Sequence, residues 1–189
     1  SFYWVQFTRL IAFKCMALLP LVFLKVSNIE FWELTYKWTP SDSKYTIILA
    51  LILMPLGALN AKGKWHLTQY PQVRMTRWNK VEYITNLLSW GLYLLGYEFL
   101  FRGVLFLGLI HFTGLYTAIG INTALYALAH LYKGKKETIG SIPLGIVLCY
   151  ITWKTGTIWA AFTIHWIMAG NNFIWAHYYN SNPPNTFKQ

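Results

Sequence analysis

The chain has 189 residues, of which 56% are hydrophobic, 19% aromatic and only 12% charged, whereas a soluble domain carries about 25% charged residues. That composition excludes a soluble globular domain and indicates one polytopic membrane unit. The net charge of +10 does not call for nucleic acid, because the cations fall in loops between apolar runs, where membrane orientation explains them.

Taken in chain order, helices are expected at about 10–26, 44–60, 82–108, 116–131, 138–153 and 157–179, most near the roughly 17–20 apolar residues that a bilayer crossing needs. The fold class is therefore all-α, a polytopic transmembrane helix bundle of six spans, or seven if the third run is split. Lys14, near the start of the first run, can snorkel back to the headgroups. The stretch "WTPSDSKY" is loop chemistry between the first two helices. "KGKWHLTQYPQVRMTRWNK" interleaves basic and aromatic residues without a strong apolar run, and is expected to lie on the membrane surface. Trp32, Trp38, Trp65, Trp78, Trp153 and Trp159 fall near helix ends, as interfacial belts would place them.

Under this count the N-terminus, loops 61–81 and 132–137 and the tail hold ten cations, Arg9 among them, against Lys25, Lys37, Lys44 and Lys154 opposite. Both termini are therefore expected to be cytoplasmic, in a bacterial-type cell membrane. Three regions are expected: membrane helices and a basic surface loop over 1–80, a helical core over 81–180, and a polar tail over 181–189. Because the sequence starts at Ser1 rather than Met, a longer or processed polypeptide is expected. Cys15 and Cys149 sit singly in apolar runs and read as packing residues.

Six acidic residues occur: Glu30, Glu33, Asp42, Glu82, Glu98 and Glu137. Glu98 alone lies deep in an apolar run, where a charge costs at least about 2.5–3.5 kcal/mol. Arg102 follows four residues later, on the same helical face, and can pair with it. On its own the pair needs only to neutralise itself and lock neighbouring helices. Downstream, Asn122, Tyr126 and His130 recur at intervals of four, and His165 and Asn172 share a face seven apart. Two histidines on separate helices, with the one deeply buried carboxylate and an asparagine, favour a polar cavity. His66, His111 and His177 read as interfacial.

These residues carry a resemblance. "YEFLFRG", "YALAH" and "HWIMAGNN" resemble the Glu-Glu-x-x-x-Arg, Phe-x-x-x-His and His-x-x-x-Asn motifs of the CAAX-prenyl-protease and bacteriocin-processing family of intramembrane proteases, over about 85–178. Two positions depart from the pattern. Tyr97 stands where the family has its general-base glutamate, and Ala169 where it has the asparagine, with Asn172 the nearest same-face substitute. A phenol of ordinary pKa, about 10, is no carboxylate base at neutral pH.

The resemblance implies peptide-bond hydrolysis by a glutamate-activated water, with histidines and an amide orienting the water and stabilising the oxyanion. Glu98 with His130 is one candidate base pair, although Arg102 competes for the carboxylate. Glu137 is a second candidate, or a plain first-turn helix stabiliser. The catalytic candidates are thus Glu98, Arg102, His130, His165, Asn172 and Glu137. Two histidines and a glutamate also match a zinc ligand set, but no His-Glu-x-x-His stretch occurs and the resemblance implies metal-free chemistry without a cofactor. Expected partners are membrane lipid and a peptide or membrane-protein substrate, or a partner subunit if the chain is an inactive family member serving a membrane complex. A small transporter or channel component is the reading outside the family.

Overall fold

A computed structural model describes residues 2–26, 37–75 and 77–181. Its helices are α1 (Phe2–Val26), α2 (Pro40–Asn60), α3 (Lys64–Gln69), α4 (Lys80–Glu98), α5 (Leu107–Thr113), α6 (Leu115–Leu128), α7 (Lys135–Thr155) and α8 (Trp159–Ser181). A π-helical stretch, Phe99–Phe106, joins α4 to α5 without a break. The membrane-embedded, all-helical fold class is borne out. Lys80–Thr113 is one run, so the third helix is not split. Among the described residues, Phe2–Val22, Pro40–Asn60 and Lys80–Thr113 are long and apolar enough to cross a membrane, and Leu115–Leu128 is a shorter apolar helix.

Local chemistry sets the boundaries. Thr39 and Asp42 form a reciprocal capping box that opens α2 with Pro40 in its first turn, and Asn79 and Glu82 do the same for α4. Gly114 (φ 77°) and Gly134 (φ 93°) lie in a backbone region that other residues rarely adopt, and they separate α5 from α6 and open α7. Asp42, fully buried, serves two helices. Its Oδ2 accepts from the Thr39 amide at 2.8 Å, while its Oδ1 accepts from Thr157 Oγ1 at 2.6 Å and from the Ala160 amide at 3.2 Å. One carboxylate thus ties the start of α2 to the start of α8.

The helices pack as α1 on α4, α2 on α8, α6 on α7 and α4 on α8. Gly96 lets α1 and α4 approach closely, since a Cβ there would lie 3.1 Å from the Phe13 carbonyl oxygen. Tyr70, Trp90, Leu94, Ala169, Phe173 and Ala176 form the core between the surface loop, α4 and α8.

Three expectations need correction or delimitation. Arg9 is not in a terminal loop but within α1 and buried, because the helix begins at Phe2. The third run is not divided into two spans, and its irregularity is the π stretch just past Glu98. The readings of Glu30, Trp32, Glu33 and the tail from 182 lie outside the described residues.

Candidate active site

Glu98 ends α4 and Arg102 lies in the π stretch, both with no solvent exposure. Glu98 Oε2 is 3.1 Å from Arg102 Nη1, and Glu98 Oε1 is 2.5 Å from His165 Nδ1. Both oxygens are therefore engaged, one on its own helix and one on α8. The Arg102 guanidinium also sits 4.2 Å above the Tyr126 ring of α6, a cation–π contact that a desolvated site strengthens. A π turn disturbs the regular backbone ladder, and here Asn122 of α6 donates to the Phe101 carbonyl at 2.7 Å.

His130 follows α6 in the turn before α7. Its Nδ1 is 2.8 Å from the Tyr126 carbonyl, which can only accept, so Nδ1 carries the proton and Nε2 is left as an acceptor. Tyr97 is buried, with its ring centroid 5.9 Å from His165 and 6.4 Å from His130, and its hydroxyl has no hydrogen-bond partner. Tyr97, which the resemblance aligns with the base position, thus neighbours both histidines.

A second polar cluster lies along the same space. Tyr70 OH donates to Glu137 Oε1 at 3.1 Å, Tyr70 stacks on His66 at 4.9 Å, and His66 Nε2 donates to the Asn172 carbonyl at 3.3 Å. Burial, then the neighbouring Glu137 carboxylate, push the Tyr70 phenol well above its ordinary range, so it remains a donor. Burial pulls the His66 imidazole below its ordinary value, so it is held neutral.

One cavity of about 760 Å³ connects the clusters, lined among others by Tyr97, His130 and His165 on one side and by His66, Tyr70, Glu137 and Asn172 on the other. Of the sequence-derived candidates, Glu98 contacts both Arg102 and His165, and His130, Glu137 and Asn172 share the cavity wall with His165. Among the described residues, no group of three or more His, Cys, Asp or Glu is arranged to hold a metal. Sequence reasoning missed His66 and Tyr70. His66, read as interfacial, is buried.

Residues 78–170 match the family model for the type II CAAX prenyl endopeptidase, Rce1-like. This bears out the resemblance read from the three motifs. No curated protein and no solved structure matches the chain.

Proposed function

Because residues 78–170 belong to the Rce1-like family of CAAX prenyl endopeptidases, we propose that this chain is an intramembrane endopeptidase hydrolysing a membrane-associated peptide or protein with a glutamate-activated water. The observation that carries the reading is the shared cavity lined by His130, His165 and a carboxylate, Glu137. Of the two carboxylates, Glu98 is sealed from solvent and held by Arg102 and His165. Its role is to orient His165. Glu137 lines the cavity and accepts one hydrogen bond, from Tyr70, so it is the better-placed base.

In this reading Glu137 takes a proton from water while His130 Nε2, an acceptor, holds that water. The hydroxide equivalent adds to the scissile carbonyl. His165, held by Glu98 at Nδ1, polarises the carbonyl oxygen from Nε2 when the ring carries both protons, and the proton held by Glu137 passes to the leaving amine as the C–N bond breaks. Tyr97 at the family's base position favours a second reading, an inactive family member acting as a subunit of a membrane complex.

Cleavage of a quenched-peptide library by purified protein and by Glu137→Gln, Glu98→Gln and His130→Ala variants decides between them. Loss of a general base should lower the rate of Glu137→Gln by about 10²–10⁴-fold. A wild-type rate in Glu137→Gln would remove that residue from the mechanism. Absence of turnover in folded wild type would favour the inactive subunit.

A further inference from the structure

Among the described residues, two arginines are buried within helices and one of them has a counter-ion. Arg102 has Glu98 at 3.1 Å. Arg9, 7% exposed, donates from Nη1 to Asn86 Oδ1 at 2.8 Å, Ser89 Oγ at 3.2 Å and the Asn86 carbonyl at 3.3 Å, and from Nη2 to Gln72 Oε1 at 3.4 Å. Its guanidinium lies 4.9 Å over the Trp90 ring. Every acceptor is neutral, and no carboxylate among the described residues forms an ion pair with it. A cation held by dipoles alone inside a membrane protein is expensive, and such groups mark binding sites. Arg9 also lines the cavity that reaches His130 and His165.

We propose that Arg9 is the anion-binding subsite of this cavity and takes one carboxylate of the peptide substrate. The inference rests on the peptidase reading for the word substrate, and on geometry for the anion. A single guanidinium fork matches the two oxygens of a carboxylate, and the Gln72 and Asn86 amides beside it add neutral donors. A phosphate dianion calls for further cations at the same point. Lys133 and Lys136 lie farther along the lining, where the one carboxylate, Glu137, is held by Tyr70. The lining as a whole therefore attracts an acidic peptide.

The position sets a spacing. Ser89 and Trp90, which contact Arg9, precede Glu98 by nine and eight residues, about 12–14 Å along the helix axis. That distance spans about four residues of extended peptide at roughly 3.3 Å each. The carboxylate has two possible sources, the C-terminus of the peptide or an acidic side chain.

The test uses one quenched-peptide library in three forms: free C-terminal acid, C-terminal amide, and C-terminal amide with one fixed glutamate. Retention on the full-length protein in phosphatidylcholine nanodiscs is read by mass spectrometry alongside cleavage. Wild type should favour a carboxylate-bearing form by about 10–100-fold, the range of a charge-assisted hydrogen bond. The favoured form identifies the source. Arg9→Gln should erase the preference. Should Arg9→Gln fold poorly, Asn86→Asp supplies an internal carboxylate beside an intact Arg9, and should erase the preference equally.

No preference in wild type, or a preference that survives in both variants, overturns the proposal. So does loss of the preference when phosphatidylglycerol is added to the nanodiscs, which would identify a lipid phosphate as the occupant. Carboxylate-dependent retention without cleavage would sustain the subsite and refute the peptidase reading.

Discussion

Replacing Arg102 with alanine leaves the Glu98 carboxylate at zero exposure with His165 as its one remaining ionisable contact. Breaking a buried ion pair by removing one partner costs about 3–5 kcal/mol, and the contact with the Tyr126 ring is lost as well. At about 2–4 °C per kcal/mol for a chain of this size, the melting temperature should fall by roughly 6–20 °C. Tyr97→Phe removes a hydroxyl that has no partner, so it should be close to neutral. Melting of both variants in detergent, followed by size-exclusion chromatography, gives the comparison, and membrane-folded yield should follow the same order. A double variant, Glu98→Gln with Arg102→Ala, should recover part of the loss because no unpaired charge remains. Equal melting temperatures for Arg102→Ala and Tyr97→Phe would refute the view that charge compensation holds this region together.

Asp42→Ala uncaps α2 and α8 together, and at about 1 kcal/mol for each cap should cost about 2 kcal/mol, with Thr157→Ala costing less; a thermal melt that does not separate the two variants would contradict the shared cap. His66 titrates below its ordinary value in the folded protein, so below about pH 6.5 the unfolded segment binds a proton that the folded one does not. Stability of the α3 segment is therefore full above that pH and falls as the pH drops below it. Protection of the 64–70 amides, taken as exchange relative to the intrinsic rate at each pH, should fall on acidification, and His66→Gln should abolish that dependence.

The helices and the site differ in how far the sequence discloses them. Apolar run lengths and polar breakers define six long helical segments, and the i, i+4 spacing of Glu98 and Arg102 discloses their pairing because both lie on one element. The resemblance places Glu98 and His165 in one site but names His130 as the carboxylate's partner; the contact of Glu98 with His165 is set by the packing of α4 on α8. Nothing local marks Arg9, His66 or Tyr70 as cavity residues. They come from α1 and the basic surface loop, and their polar partners, Asn86, Asn172 and Glu137, are supplied by helices distant in sequence. The apolar run "FLFRGVLF" likewise suits an α-helix and a π-helix equally, so the wider turn is set by packing and not by composition.

That wider turn governs how the long helix tolerates changes of length. Upstream, α4 is gripped by α1 and α8, while beyond Glu98 the π stretch and α5 rest on α6. An indel between residues 86 and 94 would rotate Asn86 or Trp90 away from Arg9 and break the grip. The same indel between 103 and 106, past the Glu98–Arg102 pair, can be absorbed where the ladder is already out of α-helical register. The Phe99–Phe106 segment thus acts as a phase adjuster, allowing one half of the helix to keep its azimuth while the other half is reset.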